Sequence, residues 1–393
     1  MSGSSVVLYD PSLCDYKFSE DHPLNPVRVD LTMRLAAELG VTGNGGMVVV
    51  PPPVAPDELV ATVHSSDLIE SVMATSRNPL RHDLVHGLGS DDNPTFEGMH
   101  TAAAHIVGAT TEAARRVWEG EQLHAVSVAG GLHHAMPDKA SGFCIYNDVA
   151  IAITWLLAHG AQRVAYVDVD VHHGDGTERV FWDDPRVLTI SLHETGQMLF
   201  PGTGFAHDIG GAGAEGSAVN VALPPGTGDG GWLRAFHAVV PPLVREFAPD
   251  ILVTQHGCDS HQDDPLAHLT LSVDGHRASY ETLHDLAHEV CGGKWLATGG
   301  GGYALAEVVP RSWSHLLGIA AGRPIDPESP TPPAWQEHVA TRMRQQAPRR
   351  MTDGRPAAYK DWTAGYDPDS WLDRTILATR QAVFPLHGLD YLP

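Results

Sequence analysis

The chain has 393 residues and a formal charge of −23 at pH 7, from 25 Lys and Arg against 48 Asp and Glu. Its length permits one large α/β domain or two to three smaller ones, at ~150 residues per domain. Hydrophobic residues at 42% and charged residues at 19% describe a globular chain and not a disordered one. The negative balance argues against nucleic-acid binding, which needs clustered Lys and Arg, and suits Lys-rich partners. Cys14, Cys144, Cys258 and Cys291 form no C-x-x-C pair, so neither a disulfide framework nor a Cys₄ zinc site is expected. The opening MSGSSVVLYD has no basic and apolar leader pattern, and no apolar run approaches the ~18 residues of a membrane helix. A soluble, cytoplasmic protein without a membrane partner is the expectation. The unusual feature of the composition is its 24 histidines.

In chain order, β-branched runs predict strands over 6–9, 47–50, 125–129, 163–170, 186–192, 218–223, 250–254 and 294–298. Helix-like segments lie over 97–119, 148–159, 231–247, 275–290 and 304–320. Alternation of this kind predicts βαβ units and a mainly parallel sheet covered on both faces. Glycine and proline mark loops at 51–53, 202–216, 224–231 and 299–302. A proline-rich connection at 323–333 separates a unit over 1–322 from an extension over 323–393. The extension holds a helix-like 369–383, and its Trp335, Trp362 and Trp371 require burial, so it is expected to pack on the main domain.

The run YVDVDVH from Tyr166 to His172 alternates valine with Asp168, Asp170 and His172. In an extended segment alternate side chains share a face, so these three point the same way. Two carboxylates buried on one face cost several kcal/mol each unless a cation or donors compensate. A divalent metal supplies that compensation, and a polar network at a strand end is the plainer alternative. The run QHGCD places Asp259 just past another strand end, and ligands of parallel sheets gather at those ends. Asp170, His172 and Asp259 would leave open positions on a metal, the catalytic arrangement.

His133 and His134 follow the third predicted strand. Two adjacent imidazoles near a metal suggest proton transfer, and Asp168 and Asp175 are the nearest carboxylates free to orient them. The run GGGGY, 299–303, lacks the spacing of a nucleotide-binding loop. Its glycines instead let the backbone pass close to the site and deliver Tyr303, whose phenol can polarise a carbonyl. The chemistry this predicts is metal-assisted hydrolysis of an amide-type bond, with histidine moving the protons.

The strings GLHHA from Gly131, SGFC from Ser141, DVDVHHGDG from Asp168, FPGTG from Phe200 and GGGGY from Gly299 resemble the zinc-dependent histone deacetylase superfamily. The resemblance covers roughly residues 5–320 in the family's order, the size of one large α/β domain. HPLNPVR from His22, QHGCDSHQDDPLAHL from Gln255 and the tail over 365–389 are similar to the bacterial acetoin-utilisation deacetylases within it.

The resemblance implies an α/β fold of the arginase/deacetylase type, three-layered, with a mainly parallel sheet of about eight strands. It implies Asp170, His172 and Asp259 as metal ligands for zinc, with ferrous iron equally suited to the donor set. It makes His134 the general base and acid, oriented by Asp175, and His133, paired with Asp168, a source of positive charge. Tyr303 becomes the carbonyl-polarising phenol, Phe143 and Phe200 the tunnel walls with Gly142 contributing backbone, and Arg28 the arginine of an acetate channel. Asp92 takes the rim position that holds substrate N–H groups, a role Asp91 could share. Leu266 takes the gatekeeper position, apolar where polyamine-selective relatives are acidic, although Asp263 and Asp264 lie close by. Potassium is implied near Asp168, Asp170, His172, Ser191 and Leu192, with a second cation around Phe181, Asp184 and Val187. The implied reaction is removal of acetyl from lysine side chains of proteins, such as an acetyl-CoA synthetase; acetylpolyamines and other acyl groups are the alternatives.

Overall fold

In the computed structural model, which describes residues 5–43 and 46–393, all eight predicted β-branched runs contribute to one sheet. The strands are β1 (Ser5–Leu8), β2 (Val48–Val50), β3 (His124–Ser127), β4 (Val164–Asp168), β5 (Val187–Glu194), β6 (Ala218–Leu223), β7 (Ile251–Gln255) and β8 (Trp295–Thr298). They lie in the order β2-β1-β3-β8-β7-β4-β5-β6, and every pairing is parallel. Only β2, at one edge, leaves its side chains largely exposed. The inner strands are buried, as their near-continuous Val, Ile and Leu content requires.

Parallel neighbours need long crossovers, and every connection but β5–β6 contains at least one helix, with three more helices after β8. The helices are α1 (Val27–Glu38), α2 (Asp57–Val60), α3 (Ser66–Arg77), α4 (Met99–Trp118), α5 (Asp148–Ala158) and α6 (Asp175–Phe181). The series continues with α7 (Asp229–Phe247), α8 (Val273–Cys291), α9 (Val309–Ala320), α10 (Pro333–Met343) and α11 (Trp371–Val383). Helices α4, α7, α8, α9 and α11 all touch strands, giving the three-layer α/β/α arrangement of the arginase/deacetylase fold. Among the described residues no helix is long and apolar enough to cross a membrane.

Most predicted ends shift by one or two residues, and two of the differences have a plain physical cause. The strand predicted to reach residue 170 stops at Asp168, where side chains begin to bond the backbone: Asp168 Oδ1 accepts the Asp170 N–H (3.1 Å) and Asp170 Oδ1 the His172 N–H (3.0 Å). The shared face of Asp170 and His172 is therefore made by a loop of side-chain-to-backbone turns and not by the strand. The helix predicted from 304 starts at Val309, because Pro310 belongs in a first turn and disfavours helix before it.

Beyond residue 322 the chain returns to the main body at two places. Trp335 of α10 is buried among Val27, Leu31 and Leu35 of α1, and its indole N–H donates to the Leu31 carbonyl (2.9 Å). Helix α11 lies against β6 and α7, where Thr379 bonds the Asn220 carbonyl and Arg234 pairs with Asp373 at 2.8 Å. Trp362 is buried, but Trp371 stays 46% exposed, so the expectation that all three tryptophans are covered is corrected. Trp371 opens α11 on its outer side, where Ser370 caps the helix.

Candidate active site

Four neighbouring strands, β3, β8, β7 and β4, end side by side, and the loops leaving their carboxyl ends carry the predicted chemistry. From β3 come His133 and His134, from β8 the glycines and Tyr303, from β7 Asp259, and from β4 Asp170 and His172. Asp168 is the last residue of β4 itself. One small cavity, about 20 Å³, is lined by His133, His134, Gly142, Phe143, Asp170, His172, Gly301 and Tyr303, together with Leu24 and Leu132. That volume admits roughly one water-sized group.

Asp170, His172 and Asp259 are buried, and their ligand atoms lie within 4.8 Å of one another. His172 Nδ1 is 3.2 Å from Asp170 Oδ1 and 3.1 Å from Asp259 Oδ2. Burial works against a charged imidazole, but hydrogen bonds to both carboxylates outweigh it and lift the His172 pKa to about 10. Asp259 is pushed up by burial and by the neighbouring Asp170 charge. The trio thus demands a cation, and a proton on His172 meets part of that demand.

A metal ion fits the same place: two carboxylate oxygens and one imidazole nitrogen are a donor set for zinc or iron. The surrounding backbone is shaped for this crowding. A Cβ on Gly257 would lie 2.0 Å from Asp170 Oδ2, and one on Gly301 would lie 1.9 Å from Asp259 Oδ2. Gln255 Nε2 and the Gly301 N–H both donate to Asp170 Oδ2 at 2.7 Å, and the Val171 N–H donates to Asp259 Oδ1 at 3.0 Å. Each carboxylate is thus oriented from behind, as ligands require.

The two histidines are differentiated by their partners. His133 Nδ1 meets Asp168 Oδ2 at 2.7 Å, His134 Nδ1 meets Asp175 Oδ1 at 2.6 Å, and their Nε2 atoms are 3.1 Å apart. Burial disfavours charge on His133, yet attraction to Asp168 and Asp170 prevails and raises its pKa to about 9. For His134 burial prevails, aided by the His133 charge, and the pKa falls. A carboxylate on Nδ1 fixes that proton in both rings. His133, charged, therefore donates through Nε2 to His134, whose Nε2 carries a lone pair. Such separation of two adjacent titrating groups is how acid and base roles are assigned.

The walls follow from local strain. Gly142 and Phe143 both have positive φ, 54° and 66°, and a Cβ on Gly142 would strike the His134 ring at 2.4 Å. The Tyr16 hydroxyl donates to the Phe143 carbonyl (2.7 Å) and accepts from the Ile145 N–H (3.0 Å), holding that turn. The Phe143 ring meets Tyr303 edge-on at 5.7 Å, and Phe200 meets His134 edge-on at 5.0 Å. Phe200 is 45% exposed and lies outside the cavity wall proper.

Three expected positions sit differently from the simplest picture. Asp92 Oδ2 accepts the Gly142 N–H at 2.8 Å, so one of its oxygens is spent on the protein, while Asp91 is exposed. Leu266 is half-buried, its N–H bonded to Asp264 Oδ1 (3.0 Å), and its side chain is not part of the cavity wall. Arg28 is buried without an ion pair among the described residues; it donates to the Gly302 carbonyl (3.0 Å) and stacks on Trp313 at 5.0 Å. It lines a second cavity of about 20 Å³ that shares Leu24 and Leu132 with the first.

Sequence reasoning missed the residues that hold this set in place. Tyr166 donates to Asp168 Oδ2 at 2.6 Å. Asp148, fully buried at the start of α5, accepts the Gly131 and Leu132 N–H groups at 3.0 and 2.8 Å. Asn147 reaches the His133 and Ala135 carbonyls at 3.1 and 3.2 Å. Asp264 accepts the Tyr303 N–H at 2.7 Å.

A parallel α/β sheet ending in buried metal-donor residues, two carboxylate-backed imidazoles and a tyrosine defines a metal-hydrolase class of site. Residues 22–320 match the family model for the histone deacetylase domain, and the chain belongs to the histone deacetylase family. It is similar to the acetoin utilization protein AcuC of Bacillus subtilis, 39% identical over 93% of this chain and 92% of that relative. The AcuC proteins of Staphylococcus aureus strain MSSA476 and Staphylococcus xylosus are 38% and 37% identical, covering 82% and 85% of this chain and 83% and 87% of their own lengths. The protein is thus a deacetylase-family hydrolase close to AcuC.

Proposed function

We propose that the protein removes acetyl groups from lysine side chains of other proteins, with zinc or ferrous iron on Asp170, His172 and Asp259. The observation that carries this reading is the convergence, around one narrow cavity, of those three donors, two imidazoles with fixed tautomers, and Tyr303. A divalent metal there would supply Lewis acidity toward the acyl carbonyl and a lowered water pKa. With substrate bound, the His133 Nε2–H turns from His134 to the substrate oxygen. This frees the His134 Nε2 lone pair to accept the proton of the attacking water, and Asp175 stabilises the imidazolium that results. The same nitrogen then delivers a proton to the departing lysine amine, so acetate and free lysine leave. His133, already charged, favours negative charge developing on the substrate oxygen, and the Tyr303 hydroxyl donates to that oxygen. Phe143, in the cavity wall, and Phe200, outside it, flank the lysine methylenes. The acidic surface, at a net −23, suits Lys-rich protein substrates, an acetylated acetyl-CoA synthetase among them.

The test uses metal-stripped protein on an acetyl-lysine peptide, with and without added zinc or iron, beside Tyr303→Phe. Metal-dependent acetate release that falls ~10²-fold or more in the variant, mainly in kcat, is the expected result. Full activity in Tyr303→Phe would remove the assigned role of the phenol. Activity confined to acetylpolyamines would overturn the protein-substrate reading.

A further inference from the structure

Three histidines gather at the other end of the sheet. His124 is the first residue of β3, whereas the active-site histidines follow that strand's last residue. His284 and His288 stand one helical turn apart on α8, so their side chains share a face. The three imidazoles offer ring nitrogens within 4.8 Å of one another, and their centroids are 4.9, 5.0 and 4.7 Å apart.

The tautomer of His124 is fixed. Its Nδ1 lies 2.8 Å from the Ala320 carbonyl at the end of α9, and a carbonyl only accepts, so Nδ1 carries the proton. Nε2 of His124 is therefore a lone pair, and it faces His288 Nε2 at 3.1 Å. Two imidazole nitrogens on one tetrahedral zinc, each at 2.0–2.1 Å, stand about 3.3 Å apart. A backbone carbonyl behind the ligand histidine is also the usual outer support of a metal site.

The rest of the setting is consistent with a ligand role. His284 is half-buried, with Nδ1 only 3.3 Å from Asp285, and His288 is exposed, so an ion reaches the trio from solvent. The His288 ring lies over Gly293, where a Cβ would come within 2.8 Å of it.

We propose that His124, His284 and His288 form a second metal site, for a borderline divalent ion of the zinc class, separate from the deacetylase centre. Three imidazole nitrogens select zinc, copper or nickel over magnesium or calcium, which prefer oxygen. The fourth position is open to water. Bound there, the ion ties the C-terminal half of α8 to the start of β3, a strand whose far end leads to His133 and His134.

The experiment measures zinc per chain in tag-free, full-length protein after chelation and reloading, for the wild type, His288→Ala and His284→Ala/His288→Ala. Two zinc ions in the wild type and one in both variants, with deacetylase activity retained, is the expected result. A second measurement follows the melting temperature of Asp170→Asn/Asp259→Asn protein with added zinc or magnesium. Zinc alone should raise it, and His288→Ala should abolish the rise. Equal zinc content in wild type and variants, or a zinc response that survives His288→Ala, would overturn the proposal and leave the trio as a hydrogen-bonded cluster. Loss of the active-site zinc alone, with the second ion retained, would bear on the deacetylase reading and not on this one.

Discussion

Asp170 Oδ2 accepts from Gln255 Nε2 and the Gly301 N–H, both at 2.7 Å, and Gln255 Oε1 in turn accepts the Gly257 N–H at 2.7 Å. Gln255→Met keeps the volume but removes the side-chain bonds to Asp170 and to the Gly257 N–H, so Asp170 Oδ2 loses one of its two donors. Metal affinity, read by competition with a chromophoric chelator, should fall about 10–100-fold, the usual effect of removing an outer support. An unchanged affinity would mean that the backbone alone aims the carboxylate. Gln255 also shows why part of the site was illegible. Asp170, His172 and Asp259 announce themselves because a buried acid or imidazole beside a strand end needs a partner. A glutamine or tyrosine within an apolar run carries no such demand, so Gln255 and Tyr166 become visible only when the strands are side by side. The same holds for Asp264 and Asp148, which act through backbone N–H groups that have no sequence signature.

At the scale of elements, strands were legible and several helices were not. Each strand is a short β-branched run bounded by turn residues, and all eight emerged, β6 at its predicted bounds and the others shifted by one or two residues at one or both ends. Helices α1, α3 and α10 escaped for different reasons. Helices α1 and α10 begin at prolines with no side-chain cap, so the polar start signal is missing. Helix α3 has that signal, Ser65 accepting the Leu68 N–H at 3.3 Å, but it lies among short polar stretches that hide its spacing. The extension beyond residue 322 depends on one such junction. Arg234 of α7 and Asp373 of α11 form a bidentate pair at 2.8 Å, both nearly buried, and Arg234 also bonds the Lys360, Asp361 and Gly365 carbonyls. Asp373→Ala leaves that guanidinium buried and unpaired, a loss of about 3–5 kcal/mol. The expected outcome is a lower urea midpoint, with α11 released from β6 and digested first by a protease. A loss below ~1 kcal/mol, as for an exposed pair, would show that the extension is held by its apolar contacts alone.

For the molecule as a whole, the histidine content has a consequence apart from catalysis. His64, His193, His256, His276 and His315 are buried and neutral, each pushed down by burial: His64 and His315 to about 4, His256 and His276 to about 3, His193 well below its usual range. Their hydrogen bonds agree. His64 Nδ1 donates to the Met136 carbonyl (3.0 Å) while Nε2 accepts the Asn147 N–H (2.9 Å), a pattern only the neutral ring can make. His193 and His315 likewise donate through Nε2 to the Gly204 and Met351 carbonyls, at 2.8 and 3.0 Å. Unfolded, each titrates near 6.5. Between that value and the folded one, the unfolded chain binds more protons, so folding stability falls as pH falls. The decline begins near pH 6.5 and continues to about 4 for His64 and His315, and to about 3 for His256 and His276. Each group adds up to ~1.4 kcal/mol per pH unit inside its window. His133 has the opposite sign: raised to about 9, its contribution is complete below pH 6.5 and is lost only as pH rises through that value. It therefore cannot offset the acid limb. Urea midpoints of metal-free protein at pH 7.5, 6 and 5 should drop steeply below 6.5, free of any effect of protonating a metal-bound ligand. His64→Asn should lessen the slope by about one proton, even though the substitution itself lowers stability at pH 7.5. A flat profile between pH 7.5 and 5 would mean that these rings accept protons without leaving the fold.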